Sequence, residues 1–335
     1  MRSRTAPPSS GTKGAVSRNT RRTRRLLAAF SVIGVLVAGT AAQSHASEDS
    51  RVKESTSPFT GLPADPAPVL AVKIDNASKA RPHTAVEDAD IVFVEKVEGG
   101  MSRLIGVYSS QVPETVGPVR SAREYNVEQL RTFDRPALAY SGAQAGVEDL
   151  IQKSPLYALS NDTFPSGYYR DEGREPPHNL FLNPDKVLDA APDASLSSDI
   201  GFRFGDKPGG GEPTKERSVK YPSAETGFSW SEKEKRWLAS FDGKPATSTD
   251  GERLGGKTVV IQKVDMPPSD FQDPTNTTPY IETVGKGEAT VLRDGEAFET
   301  TWERTDETAD TTFTRPDGTR MPFDPGQVWV VYEER

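Results

Sequence analysis

The sequence predicts an α+β fold, with mixed sheets and flanking helices in an N-terminal domain and a mostly β C-terminal domain. Three observations carry that expectation. Glycine and proline supply 28 and 27 of the 335 residues, about one in six against roughly 12% in an average protein, which disfavours a bundle of long helices. Apolar residues fall in short, β-branched runs separated by turn residues, the pattern of strands. A glycine-rich break at 205–215, containing Pro208-Gly-Gly-Gly211, reads as a flexible linker, and beyond it the pattern changes almost wholly to strands. Length agrees, since 335 residues suggest two domains at about 150 residues each.

The net charge of −8 is the sum of two unlike pieces. Residues 1–46 hold eight basic residues and no acidic one, leaving about −16 on the remainder. This leader runs into an apolar stretch, Leu26–Ala38, and then Ser44-His45-Ala46. A basic start, an apolar core and a small-residue site describe a secretory signal peptide. Thr23-Arg24-Arg25-Leu26-Leu27 also partly fits a twin-arginine signal. The alternative is an uncleaved anchor, for which the 17 residues Leu26–Ala42 are at the short limit. The acidic remainder argues against nucleic acid and against an anionic membrane surface as partners. A membrane is then a partner only if the leader stays uncleaved. With no cysteine, a thiol nucleophile, a disulfide and a zinc–thiolate site are excluded.

Residues 47–57 are serine-rich and read as a disordered leader. An N-terminal domain is expected over 58–204. Val69–Ile74 reads as its first strand. Thr84 and Glu87 have capping-box spacing, predicting a brief helix over Ala85–Ala89. Ile91–Val94 and Leu104–Tyr108 read as strands joined by a turn at Gly99-Gly100. Ser121 and Glu124 repeat the capping spacing and predict a helix through Val127 and Leu130. Ala137–Tyr140 reads as a strand and Val147–Ile151 as part of a helix. Residues 161–177 form a long loop rich in aromatic and arginine residues. In the C-terminal domain, 216–335, six runs read as strands: Gly227–Ser231, Arg236–Phe241, Thr258–Gln262, Ala289–Arg293, Ala297–Trp302 and Gln327–Tyr332. Asp294-Gly295 and Asp317-Gly318 mark hairpin turns. The tryptophans on these strands are explained by core packing.

Four segments carry residue types that chemistry could use. Asp75 and Asn76 end the first strand, where ligands of α/β sheets tend to sit; the plain reading is a turn. Glu98 and Arg103 flank the Gly99-Gly100 turn and are expected to pair across it. Arg120, Ser121 and Arg123 surround a predicted helix start, where free N–H groups and arginine forks suit an anion; the alternative is internal ion pairing. Arg170, His178 and Asn179 lie on the long loop or just beyond it. Histidine could serve as an acid or base, but His83 and His178 lack metal-ligand spacing and no G-x-S-x-G motif supports a triad. No metal and no cofactor is expected.

These segments together resemble the YerB-like family, a bacterial family described as a domain of unknown function (DUF3048). The resemblance rests on Pro58-Phe-Thr-Gly61-Leu62, Ile74-Asp75-Asn76, Ala80-Arg81-Pro82, Ala89-Asp90-Ile91-Val92, Val97-Glu98-Gly99-Gly100-Met-Ser-Arg103 and Gly117-Pro118-Val119-Arg120-Ser121-Ala122-Arg123. Pro177-His178-Asn179-Leu180, Thr301-Trp302 and Pro325-Gly326-Gln327-Val328-Trp329 continue it. It implies mixed sheets, export to the cell envelope and no established activity. Many relatives look like lipoproteins; without a cysteine this chain is expected not to be one. The expectation is therefore a secreted, envelope-associated, non-catalytic binding protein. Its site is Asp75, Asn76, Glu98, Arg103, Arg120, Ser121 and Arg123, closed by Arg170, His178 and Asn179. The ligand expected is anionic or zwitterionic: an envelope polymer fragment, a peptide or an envelope protein. The alternative is a hydrolase of an envelope polymer, with Asp75 or Glu98 as base and His178 as acid.

Overall fold

The four apolar runs expected as strands in the N-terminal half become β1 (Leu70–Asp75), β2 (Ile91–Lys96), β3 (Ser102–Tyr108) and β4 (Ala137–Tyr140), and an unanticipated fifth, β5 (Tyr157–Ser160), joins them. The computed structural model describes residues 55–272 and 277–335, so the expectations for the leader at 1–46 lie outside the described residues. A hairpin of β6 (Tyr168–Arg170) and β7 (Leu180–Leu182) follows. The C-terminal half supplies β8 (Glu216–Tyr221), β9 (Ala224–Ser231), β10 (Arg236–Phe241), β11 (Thr258–Val264), β12 (Gly285–Arg293), β13 (Glu296–Arg304), β14 (Thr312–Thr314) and β15 (Val328–Glu334). Asp294-Gly295 turns β12 into β13 as its sequence signal implies, with both residues in the left-handed region.

Strands from both halves join one mixed sheet, in the order β14-β13-β12-β11-β15-β2-β3-β1-β4-β5. The two-residue strand Glu212–Pro213 adds to β13. The last strand of the chain is central: β15 runs parallel to β2 on one side and to β11 on the other. All six residues of β1 are buried, as are the first five of β2 and of β15. Burial of consecutive residues along a strand marks a sheet covered on both faces. On one face β8–β10 form a second sheet, and Phe228 and Phe241 meet Trp329 with ring centroids 5.5 and 6.3 Å apart. On the other face Phe133 packs edge-on against Phe59 and Phe93.

The molecule is mostly β, and the flanking helices expected in the N-terminal half reduce to three short ones: α1 (Asn126–Leu130), α2 (Ala145–Lys153) and α3 (Pro184–Asp189). Two capping signals are overridden by tertiary bonding. Ala85 takes φ +63°, outside the right-handed helical region, so no helix forms over 85–89. Residues 117–120 are bound in extended form: Gly117 bridges Thr84, Val119 bridges Ile74, and the Arg120 N–H donates to the Lys73 carbonyl at 2.8 Å. The helix therefore starts only at Asn126, and Ser121 is not its N-cap. Ser57, expected in the disordered leader, is instead buried, and its Oγ accepts the Phe59 and Thr60 N–H groups at 3.2 and 3.3 Å.

The segment read as a flexible linker is fastened to its neighbours. Gly205 N–H donates to Phe323 O at 3.1 Å, and Glu212–Pro213 pairs with β13. Backbone bonding crosses the 205–215 break through β15, so the halves share one sheet.

Because β15 is hydrogen-bonded to both halves, Trp329→Ala is expected to cost about 3–5 kcal/mol and to loosen both together. Urea unfolding followed by hydrogen exchange checks this. Faster exchange in β11 with β2 unchanged would contradict it.

Candidate functional site

The period-2 alternation of β1, β2 and β3 puts Lys73, Asp75, Glu95 and Arg103 on one face near one end of the sheet. Arg103 lies opposite Asp75 on one side and Glu95 on the other. Four charged side chains in three apolar strands are therefore neighbours by register alone. Lys73 and Glu95 are fully buried and pair with each other, and Glu95 also accepts from Tyr125 Oη at 3.3 Å and Asn126 Nδ2 at 3.2 Å. Burial pulls the Lys73 ammonium down to about 8 against the opposing pull of Glu95.

Asp75 is the hub. Its Oδ1 accepts the Ala77 N–H at 3.0 Å and lies 3.4 Å from Arg103 Nη1. Its Oδ2 lies 2.8 Å from His178 Nδ1 and 3.5 Å from Arg120 Nε. Burial works to raise its pKa, but Arg103, the Ala77 N–H, His178 and Arg120 together hold it below the usual carboxylate value. Its backbone carbonyl faces His83 Nε2 at 2.9 Å. His83 is buried edge-on against Phe241, and burial depresses its pKa to about 4.

Beside Asp75 opens a cleft of about 370 Å³. Of the residues expected from the sequence, Glu98, Arg103, Arg120, Ser121 and Arg123 line it. The pairing differs from expectation. Glu98 does not pair with Arg103 across the turn; it takes Arg123 instead, through Nε and Nη2, each at 2.5 Å. Burial raises the Glu98 pKa, yet the Arg123 fork and Thr278 Oγ1 pull it below its ordinary value. Arg103 is 4% exposed and donates through Nη1 to the Ser102 carbonyl at 2.9 Å. Its Nε has no hydrogen-bond partner among the described residues. Burial lowers its pKa while Asp75 opposes the shift.

Five expected residues do not line it: Asp75 and His178, which meet beside it, and Asn76, Arg170 and Asn179. Asn76 is buried, donating to Ser102 Oγ at 2.9 Å and accepting from Arg81 Nε at 3.1 Å. Arg170 and Asn179 bond to each other at 2.8 Å and do not line the cleft. Only His178 from that segment reaches the hub, through the back of Asp75. Sequence reading missed Met101, Glu124, Gln144, Val147, Phe271 and Thr278 as lining residues. Phe271 and Thr278 come from a loop about 150 positions away that carries no signal of its own. Lys73 and Glu95 were legible as charges inside apolar runs.

Asp75→Asn leaves buried Arg103 without its counter-charge and is expected to destabilise by about 3–5 kcal/mol. A urea midpoint within error of the parent's contradicts this role. For His83, the unfolded chain binds the proton near pH 6.5 and the folded chain only near 4. Stability is thus full above 6.5 and is lost as pH falls through that window. The expected loss is about 2 kcal/mol at pH 5 relative to pH 7.5, absent from His83→Gln. Parallel melting curves for the two proteins at both pH values measure it.

Residues 59–197 match the family described as Protein of unknown function (DUF3048) N-terminal domain, and residues 217–330 its C-terminal domain. A protein of Bacillus subtilis (strain 168) named "Putative lipoprotein YerB" is 28% identical over 295 residues, covering 83% of this chain and 86% of its own. A crystal structure of YerB protein from Bacillus subtilis matches with TM-score 0.71 at 24% identity, covering 83% of this chain and 96% of that one. The relative's name contradicts the expectation that the chain is not a lipoprotein. That expectation was drawn too broadly, because a missing thiol describes one attachment chemistry and not the location shared by relatives. With both domains matched in order and the fold shared with YerB, the chain belongs to the YerB-like family defined by the DUF3048 N- and C-terminal domains.

Proposed function

We propose that this chain is an extracytoplasmic, envelope-associated binding protein without catalysis of its own. Its ligand is anionic or zwitterionic: an envelope polymer fragment, a peptide or an envelope protein. The observation that carries the reading is an open cleft walled by two guanidinium groups, Arg103 and Arg120. Arg120 stands on the same cleft with 28% of its side chain exposed and its nearest carboxylate 3.5 Å away. Guanidinium forks suit carboxylates and phosphates. The name of the Bacillus subtilis relative supports the envelope location.

The hydrolase alternative has one supporting observation, the 2.8 Å contact between Asp75 and His178. Asp75 is held ionised by its cationic neighbours, so in that reading it orients the imidazole and is a poor base itself.

A thermal-shift screen of cell-wall fragments and short peptides tests both readings. Arg120→Ala is expected to abolish every stabilising hit while changing stability by at most about 1 kcal/mol, since its ion pair is partly exposed. A screen with no hits, or hits that persist in Arg120→Ala, would count against the binding reading. Turnover of a hit that disappears in His178→Ala would replace it with the hydrolase.

A further inference from the structure

The cleft is charge-balanced among the described residues. Arg103, Arg120 and Arg123 are matched by Asp75, Glu98 and Glu124 within or directly beneath it. A free dianion would enter such a site with no net charge to meet it. A ligand that carries both signs would not disturb the balance and could use the donors and acceptors still open.

Those open groups are of both kinds. On the basic side, Arg120 is 28% exposed and only loosely engaged by Asp75 at 3.5 Å, with Arg103 beside it on the wall. On the acidic side, Glu124 uses Oε2 to accept Ser269 Oγ and, at 3.2 Å, the Asp270 N–H. No described residue bonds to its Oε1. Glu98 is different, with both oxygens taken by the Arg123 fork. The remaining wall is apolar: Met101, 39% exposed, with Val147 and Phe271. Gly146 makes room for that wall, since a Cβ there would sit 2.6 Å from a carbon of the Phe271 ring. An alanine at 146 would push the ring away from α2.

We infer that the cleft selects a zwitterion, a short peptide with free termini and an apolar side chain. Its carboxylate meets Arg103 and Arg120, its ammonium meets Glu124, and its side chain lies against Met101, Val147 and Phe271. A volume of about 370 Å³ is at the small end of ligand pockets and suits a dipeptide better than a polymer. The inference rests on the binding reading above and narrows its ligand class.

Isothermal titration calorimetry of the full chain tests it with four probes: alanyl-leucine, its N-acetyl form, its C-terminal amide and inorganic phosphate. Alanyl-leucine is expected to bind, and blocking either terminus to weaken binding about ten-fold or more, the scale of one charge-assisted hydrogen bond. Glu124→Gln is expected to bring alanyl-leucine down to the affinity of its acetylated form, and Arg120→Ala to abolish binding of both. Melting curves establish that each variant is folded. Equal affinity for the acetylated and free peptides, equal affinity for the amide, or preference for phosphate overturns the zwitterion while leaving an anion-binding cleft standing. No binding of any probe overturns the zwitterion, and an empty polymer screen besides removes the binding reading as well.

Discussion

The parallel pairing of β15 with β2 and β11 is the constraint on which the remaining architecture depends. The last strand of the chain enters the sheet between strands more than 150 positions apart in sequence and supplies Trp329 to the contact with the second sheet. Without it, β2 would be an edge strand with unpaired backbone groups, and β11–β14 would lose their ladder connection to β1–β5 in the large sheet. A chain whose two sequence-defined domains meet this way gains a continuous core, at the cost of a pairing that closes a very long loop.

The position of the site follows from that sheet. The end of β1 carries Asp75, the facing position of β3 carries Arg103, and Lys73 and Glu95 lie behind them in the same layer. Burying four charges is tolerable only because each finds a partner. Lys73 has Glu95, and Asp75 is surrounded by Arg103, Arg120, His178 and a backbone N–H. The most loosely held member is Arg120, 28% exposed on the cleft wall and 3.5 Å from Asp75.

Much of the local structure was legible because strand signals are local. β4 and β10 have the bounds their apolar and aromatic runs imply, and the Asp294-Gly295 turn joins the expected pair. Helix starts were less legible. The Thr84–Glu87 and Ser121–Glu124 signals each compete with extended bridges to distant residues, and the bridges win because they place more backbone bonds. Glu98 and Arg103 show the same limit for side chains. Proximity in sequence suggested their pairing, but Glu98 lies at the turn and Arg103 points into the layer of Asp75, so each takes another partner.

By itself the sequence determined the family, the strand-rich character and the residues worth watching, because these follow from motifs, from period-2 patterning and from charged residues set in apolar runs. Only the tertiary structure decided which of those residues meet. It drew Glu98, Arg103, Arg120, Ser121 and Arg123 to one cleft, joined Asp75 to His178 beside it, and left Asn76, Arg170 and Asn179 elsewhere. It also brought Phe271 and Thr278 across from the other half. The physical reason is that contact depends on register and sheet order, and the order of this sheet is set by a strand at the far end of the chain.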